Sequence, residues 1–411
     1  MGLPASLARD ISPPRPSKRR RTSAADVRSS KSKTAVHSDA TPTIAKAVPA
    51  LAAVEAGKVK IDDHLTYFRN HLVKSSRNTP LDVPRLSIDD FAALYQSNAN
   101  SYGHHFVVHQ HNHPIAGVHY DLRLQFSETS SMSFALPKGL PGDPNSRSIG
   151  RMAIETRVHN YWNHLIESAS RKTGSLMIWD TGTYSILPRT KRKNGMPSPQ
   201  TTDDDETEDD EATNEGNEAT GRECQENSKL IAAFKTRYIR LRLHGTRLPY
   251  NYTVILRLPS NEITRQPTAR RSGRRRRSQR SSASRTPATS DDEADIADRL
   301  VHEEAAGQDL DTDTEEDDQT RAMNAYPGST NDIGSVHQRR WFLQLDRQNS
   351  GFRLDAFGDR RGTWSGGFTP FIVRGRDHER SIVTGRLARE VESDEGLKGF
   401  VGRGGWTGIE H

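Results

Sequence analysis

The chain has 411 residues, only 32% of them hydrophobic, and a net charge of +6, which leaves room for one modest folded domain and favours polyanionic partners. Its single cysteine excludes a disulfide framework and a cysteine-ligated metal site. No apolar run reaches the roughly 18 residues of a membrane helix and no signal peptide is evident, so we expect a soluble intracellular protein.

The first 57 residues are rich in Ser, Pro, Ala, Lys and Arg without periodicity, which predicts a disordered basic tail. Within it, PRPSKRRR (residues 14–21) has the form of a nuclear-localisation signal, so we expect a nuclear protein. Two short helices are predicted next, in IDDHLTYFRN (residues 61–70) and in SIDDFAALYQ (residues 87–96). Ser87 or Asp89 would cap the second.

Short β-strands dominate the rest of residues 58–258. HYDLRLQF (residues 119–126) alternates strictly, with its apolar residues on one face and its polar residues on the other. Further strands are predicted in SFAL (133–136), RMAIET (151–156), SLMIWD (175–180), TYSIL (183–187), YIRLRLHG (238–245) and NYTVILRL (251–258). Many short strands closed by turn residues predict a mainly β fold, a compact antiparallel β-barrel with a few short helices.

Two charged segments interrupt this pattern and are predicted to be disordered insertions, because they lack apolar residues. Residues 189–227 carry the acidic run DDDETEDDE, and residues 259–336 carry the basic run RRSGRRRRSQR. The basic run either adds salt-sensitive affinity for DNA or RNA or pairs with the acidic tracts. Order returns in residues 337–411 with a final strand, RRWFLQLD, and a C-terminal extension that we expect to pack on the barrel.

The densest chemical signal is FVVHQHNHPIAGVHYDLRL (residues 106–124). One strand face carries His119, Asp121 and Arg123, and the preceding segment brings up further histidines at 109, 111 and 113. Two imidazoles and a carboxylate suit Mn²⁺, Zn²⁺ or Fe²⁺, and a guanidinium beside them could hold a phosphate. Since the opposite face is apolar, we expect the polar face to line water or a cavity such as the barrel lumen.

Several of these motifs together resemble the 3′-phosphoesterase module of the bacterial DNA ligase D family. They are the segment 106–124, ALPKGLPGDP (135–144), RMAIE (151–155), His159, GSLMIWDTGTY (174–184), LRLHGTRL and YTVILRL. The resemblance spans residues 61–258 and resumes at Arg339. It implies a Mn²⁺-dependent phosphoesterase of the 3′-phosphatase or 3′-ribonuclease type, acting on DNA or RNA-containing 3′ ends in DNA repair.

The resemblance also implies roles for individual residues. The metal ligands would be His111, His119 and Asp121. Catalytic positions would be Arg123 and His159, which clamp the scissile phosphate, with Lys138 and Arg151 as supporting cations. His159 could instead protonate the leaving oxygen, since imidazole titrates near neutral pH.

The chain departs from the family pattern in three places. Two extra residues separate His111 from His119, so that His113 has the family spacing and is an alternative ligand. Asn163 stands where the family has a tyrosine, for which Tyr161 could substitute, and the loop at residues 168–175 is short. Asn163 and the short loop motivate an alternative function, second to the active enzyme, in which a catalytically degenerate barrel binds nucleic acid ends or another protein.

The remaining sequence also bears on which partner proteins the reaction would need. No ligase lysine motif or polymerase domain is evident, so a ligase or polymerase would have to be a separate protein. We expect a monomer that binds nucleic acid 3′ ends and no membrane.

Overall fold

The computed structural model describes residues 51–55, 59–80, 82–189, 225–260, 322–357 and 361–397, together with residues 320, 399, 400, 402 and 404–409. The basic signal at 14–21, the acidic run at 203–211, the basic run at 270–280 and Cys224 lie outside the described residues.

The helices are α1 (Leu51–Glu55), α2 (His64–Ser75), α3 (Ile88–Asn98), the 3-10 helix (Tyr161–Leu165), α4 (Glu226–Lys235) and α5 (Ala388–Asp394). The strands are β1 (His105–His113), β2 (Gly117–Gln125), β3 (Ser130–Leu136), β4 (Gly150–Glu155), β5 (His159–Asn160), β6 (Ser168–Ser170), β7 (Gly174–Ile186), β8 (Tyr238–Gly245), β9 (Thr253–Arg257), β10 (Arg340–Leu345), β11 (Phe352–Leu354) and β12 (Trp364–Gly366).

Eight of these strands close into an antiparallel barrel, which confirms the predicted fold class. The order is β1-β2-β3-β4-β10-β9-β8-β7, and pairing of β7 with β1 closes the ring. Strand β5 pairs with β3 and strand β6 with β7, so both lie beside the ring rather than in it. The predicted strands SLMIWD and TYSIL are one continuous strand, β7.

The barrel interior is filled by the apolar face of each strand. Tyr120 and Leu122 of β2 lie there with Trp179 of β7 and Trp341 of β10, all 0–1% exposed. Phe234 of α4 stacks on Trp341 with ring centroids 5.3 Å apart. The interior is therefore a packed core, as expected for a barrel of eight strands.

The outer face of β1 and β7 is covered as well. A second apolar cluster joins Val107 of β1 and Ile178 of β7 to Phe68 of α2 and Phe91 of α3. Helix α3 begins at the predicted cap, where the Ser87 hydroxyl accepts the Asp90 amide at 3.0 Å. Because both faces of β1 are covered, all nine of its residues are buried, histidines included.

The order extends beyond the sequence-based boundaries. Helix α1 lies within the predicted tail, and its Val54 is buried in the second cluster. Residues 322–336 fall in the predicted charged insertion, yet Ala325 forms a parallel bridge with Val158 and Ile333 joins the barrel core. A few apolar residues with good partners suffice to order a segment whose average composition is polar.

The C-terminal segment contacts the barrel through buried carboxylates. Glu167 and Arg386 form an ion pair in which both side chains are 0% exposed. Glu392 of α5 accepts from Asn112 at 2.9 Å and from Ser175 at 2.8 Å. These contacts hold residues 381–394 against β1 and β7. Across the described stretches, no helix is long and apolar enough to cross a lipid bilayer.

Candidate metal and phosphate site

The polar residues of β1 and β2 lie on the outside of the barrel. Their neighbours Tyr120 and Leu122 point into the packed core, so the alternation of a strand sends His119, Asp121 and Arg123 outward. The expectation of a polar lumen is therefore wrong. Residues 159–167, which we call the covering segment, lie against this face from outside, where the carbonyls of Asn163 and Ile166 contact Arg123 and His109.

The β1–β2 hairpin places His111 directly opposite His119 and His109 opposite Asp121. Gly117 has a φ of +81° at the end of the tight turn, a conformation that side chains other than glycine rarely adopt. His113 lies at the tip, where its Nδ1 accepts the amides of Ile115 at 3.3 Å and of Ala116 at 3.1 Å. The structure thus brings His111 to His119 and uses His113 in the turn.

The hydrogen bonds of His111 fix which ring nitrogen carries the proton. Nε2 lies 2.7 Å from the carbonyl oxygen of Thr173, and since a carbonyl only accepts, Nε2 is the donor. In the neutral ring Nδ1 then bears a lone pair, and it lies 3.2 Å from Oδ2 of Asp121, a second acceptor. Two acceptors facing each other call for a cation, either a proton or a metal ion.

His119 repeats this arrangement. Its Nδ1 lies 3.0 Å from the carbonyl oxygen of Gly117 and must donate to it, while Nε2 lies 3.4 Å from Oδ1 of Asp121. Both oxygens of one carboxylate are therefore approached by an imidazole nitrogen that bears a lone pair in the neutral ring. Metal-binding histidines commonly donate their remote N–H to a backbone carbonyl in this way.

These three side chains, which we call the His–His–Asp cluster, fit a divalent metal ion. They are 4–8% exposed, and one ligand atom from each lies within 4.8 Å of the others. Among the described residues this is the group of histidine, cysteine and carboxylate side chains that could hold an ion. The donor set suits Mn²⁺, Zn²⁺ and Fe²⁺ alike, so the chemistry indicates a metal without selecting one.

The electrostatics of the cluster point the same way. Burial alone would raise the pKa of Asp121, but the charges of His119, His111 and Arg123 outweigh it and hold the pKa well below its ordinary range. Burial would likewise lower the pKa of His111, but its hydrogen bond to Asp121 and the carboxylate charge raise it above the usual 6.5. The Asp121 carboxylate is therefore charged at neutral pH and favours binding of a cation.

Arg123 lies one step along the same face, and its Nη2 is 3.7 Å from Oδ2 of Asp121. Its Nη1 donates to the carbonyl of Asn163 in the covering segment at 3.4 Å, and its Nε is buried without a partner among the described residues. Ser133 lies beside it on β3, and its buried hydroxyl also lacks a described partner. Unpaired buried donors next to a metal cluster indicate an anion site.

His159 borders this region on β5. Its backbone pairs with that of Ser131 on the edge of β3, and its Nδ1 lies 2.8 Å from the carbonyl oxygen of Arg157. Tyr326 packs against its ring with centroids 4.8 Å apart. The imidazole is thus held in one orientation, and His164 lies nearby, a residue whose pKa is lowered by burial and then by neighbours that include Arg123.

The two predicted supporting cations, Arg151 and Lys138, contact backbone carbonyls away from the His–His–Asp cluster. Arg151 shares its β4 face with Ala153, which lies in the barrel core, and its guanidinium donates to the carbonyl of Ser148. Lys138 is exposed on the turn after β3, and its Nζ donates to the carbonyl of Thr407 at 3.0 Å. Arg151 therefore lies on the opposite side of the sheet from Arg123.

Tyr161 and Asn163, the two residues considered for the position of the family's tyrosine, have other contacts in the structure. The Tyr161 hydroxyl donates to the carbonyl of Tyr95 at 2.9 Å, and the two rings stack 4.4 Å apart. Asn163 supplies its backbone carbonyl to Arg123, while its side-chain oxygen is buried without a described partner. Sequence reasoning missed His164 and the carbonyl of Thr173, because neither belongs to a motif.

The outward residues of β8 divide between structure and solvent. Arg240 pairs with Asp346, Nε to Oδ2, at 2.9 Å and donates to the carbonyl of Pro188, so its role is structural. Arg242 donates to the carbonyl of Asn349 at 3.0 Å, and His244 is exposed.

Comparison with known proteins adds one finding to this geometry. Residues 109–256 match the sequence model of the DNA ligase D 3′-phosphoesterase domain. The matched stretch contains His111, His119, Asp121 and Arg123, and it indicates phosphoesterase activity. No curated protein matches the chain.

Proposed function

We propose that this chain is a Mn²⁺-dependent phosphoesterase that removes a 3′-phosphate or a 3′-terminal ribonucleotide from nucleic acid ends during DNA repair. The match of residues 109–256 to a 3′-phosphoesterase domain supports the class of reaction. The observation that carries the proposal is the convergence of the His111 and His119 lone pairs on the two oxygens of Asp121, because a cation is needed between these four acceptor atoms.

In this proposal His111, His119 and Asp121 hold the metal ion, which when bound supplies charge neutralisation at the phosphate. Arg123 orients the phosphate through its planar fork, and His159 donates to a phosphoryl oxygen or to the leaving oxygen. The overall hydrolysis consumes one water: its oxygen bonds to phosphorus, the bond from phosphorus to the 3′ oxygen breaks, and that oxygen ends with a proton as the 3′-hydroxyl.

The setting we propose is nuclear, on the strength of the basic signal at residues 14–21. Lys138, exposed on the turn after β3, is proposed to contact a backbone phosphate of the substrate strand rather than the scissile phosphate. The partners are DNA or RNA-containing 3′ ends, and separate ligase or polymerase proteins that use the 3′-hydroxyl product.

The test is phosphate release from a primer-template that bears a 3′-phosphate, with and without Mn²⁺. Release should require the metal and be abolished by Asp121→Ala, while His113→Ala, which alters the hairpin tip, should retain it. A metal-independent release, or equal losses in both variants, would contradict the proposal.

Asn163 favours a second candidate, a binding module, because it replaces the tyrosine of the family pattern. Tight binding of the same primer-template without turnover at any metal concentration would select this candidate. A gel-shift titration performed beside the turnover assay separates the two.

A further inference from the structure

Three histidines that the metal cluster does not use lie between strand β1 and the covering segment, one of them on the segment itself. His105 and His109 of β1 and His164 of the 3-10 helix are all 0% exposed. Neutral imidazole has one donor and one acceptor nitrogen, and a buried one normally satisfies both. Their hydrogen bonds therefore reveal which nitrogens are left for a ligand.

His105 is fixed by its contact with Thr181. The Thr181 hydroxyl donates to the carbonyl of Phe106 at 2.7 Å, so it must accept from His105 Nε2, which lies 2.7 Å away. Nδ1 of His105 is then an acceptor. Burial lowers the pKa of His105 to about 3, so the ring stays neutral.

His164 is fixed in turn by His105. The two Nδ1 atoms lie 3.1 Å apart, and because that of His105 accepts, that of His164 carries the proton. Tyr161 does not compete as the donor, since its hydroxyl donates to a backbone carbonyl. Nε2 of His164 therefore bears a lone pair, and it is buried without a partner among the described residues.

His109 presents a second acceptor of the same kind. Its Nε2 lies 3.1 Å from the carbonyl oxygen of Ile166 and donates to it, which leaves a lone pair on Nδ1. That nitrogen too is buried without a described partner. One imidazole lone pair on β1 and one on the covering segment are thus left, each fixed by a hydrogen bond at the other nitrogen of its ring.

Both histidines lie near Arg123, the residue that we propose to orient the phosphate. His164 contacts β1 at residue 105 and His109 contacts the covering segment at residue 166, so the pair flanks Val107, whose strand partner is Arg123. Burial, and then the charges of His105, His109 and Arg123, lower the pKa of His164 well below its usual value. A neutral His164 keeps its lone pair available.

We propose that His109 and His164 form a subsite that holds a water molecule next to Arg123 and orients its oxygen toward the scissile phosphate. A phosphate dianion cannot donate to two lone pairs, whereas one water has two O–H groups to offer them and a lone pair left for attack. The inference rests on the proposed function, and it makes His105 a positioning residue that sets the tautomer of His164.

Two conservative variants of His164 test the subsite. A glutamine places its amide near the Nε2 position and can still accept from the water, whereas an asparagine reaches only the Nδ1 position and can still donate to His105. We expect His164→Asn to lower kcat about 10- to 100-fold with KM changed less than about threefold, and His164→Gln to remain within about fivefold of the parent.

Any other pattern overturns the proposal. In particular, retention of kcat by His164→Asn with loss in His164→Gln would mean that the bond to His105 is all that matters. Thermal melting of both variants checks that each is folded.

A second measurement keeps this inference separate from the proposed function. Histidine-selective ¹⁵N NMR of the full chain, with Mg²⁺ present and inorganic phosphate as the probe, reports each ring's tautomer without turnover. We expect His164 with its proton on Nδ1 and a shift of Nε2 on addition of phosphate. A proton on Nε2, or no shift at saturating phosphate, overturns the subsite even if the enzyme is active. If both expectations hold but no phosphate ester is hydrolysed, the proposed function fails and the subsite stands.

Discussion

His111 and His119 face each other across the β1–β2 pair with ring centroids 4.8 Å apart, and each ring donates its remote N–H to a backbone carbonyl. The carbonyls of Thr173 and Gly117 thereby orient both lone pairs toward Asp121. The geometry of the site is therefore set by main-chain atoms, which side-chain motifs do not display.

Metal binding should depend on His111 and not on His113. His111→Ala removes a ligand atom, so the affinity for Mn²⁺ or Zn²⁺ should fall by about 100-fold or more. His113→Ala removes the acceptor of two turn amides and a ring that packs edge-on against His111, but no metal ligand, so it should cost about 1 kcal/mol of folding free energy and leave metal affinity within about threefold. Isothermal titration calorimetry and urea denaturation measure the two quantities, and comparable metal affinities in the two variants would contradict the assignment.

Metal affinity should rise with pH. The pKa of His111 is raised above 6.5 by Asp121, so at lower pH a metal ion must displace the imidazole proton. The apparent association constant should increase by about tenfold per pH unit below that pKa and level off above it. Calorimetric titrations between about pH 5.5 and pH 8.5 give the profile. A constant affinity over that range would show that His111 is not protonated in the metal-free protein.

The raised pKa of His111 should make the metal-free protein less stable as the pH rises, whereas metal affinity increases. Because the folded pKa of His111 lies above its unfolded value, its protonation stabilises the fold fully at low pH, and this contribution is lost as the pH rises through the folded pKa. Bound metal should cancel that trend, so the increase in Tm on adding metal should be larger at about pH 8 than at about pH 6.

Substitution of Arg123 should lower turnover, whereas substitution of Arg151 should change thermal stability and leave turnover nearly unchanged. Arg123→Lys keeps the charge but loses the planar fork, so we expect turnover to fall by about 100-fold with little change in stability. Arg151→Met replaces a guanidinium on the core face of β4, so we expect turnover within about threefold and an altered Tm. Phosphate release and thermal melting are measured on both, and a large loss of turnover in folded Arg151→Met would restore its sequence-based role.

Breaking the buried ion pair between Glu167 and Arg386 should be strongly destabilising. Arg386→Met leaves a buried carboxylate without its cation and should lower the free energy of unfolding by about 3 to 5 kcal/mol. The double variant Arg386→Met with Glu167→Gln should recover part of that loss. Arg77→Met breaks a more exposed pair with Asp394 and should cost no more than about 1 kcal/mol. Urea denaturation of the three proteins tests the ranking, and equal losses in Arg386→Met and Arg77→Met would refute it.

Much of the fold could be predicted from local patterns. The alternation of HYDLRLQF gave both the strand and the shared face of His119, Asp121 and Arg123, because the side-chain period of a strand is two. The strand YIRLRLHG was also predicted correctly, and of the two predicted caps, Ser87 and Asp89, the structure uses Ser87. Boundaries were less accurate where few apolar residues order a polar segment, as in residues 322–336.

The choice between His111 and His113 illustrates what local spacing cannot resolve. Two extra residues at the tip of a hairpin add one residue to each strand, so cross-strand pairs away from the tip are preserved even though the sequence spacing changes. His111 thus keeps His119 as its partner, while His113 lies opposite Gly117. Spacing along the chain is a poor guide to distance across a hairpin.

By itself, the sequence determined the strand periodicity, the barrel class and the donor set of an imidazole-carboxylate metal site, because these depend on residues close in the chain. Only the tertiary structure decided that the polar face points out of the barrel, that Arg151 lies on the core side, and that His164 of the covering segment meets His105 of β1. Those outcomes depend on the closure of eight strands and on packing between residues about 60 positions apart. Local propensities carry no record of such contacts.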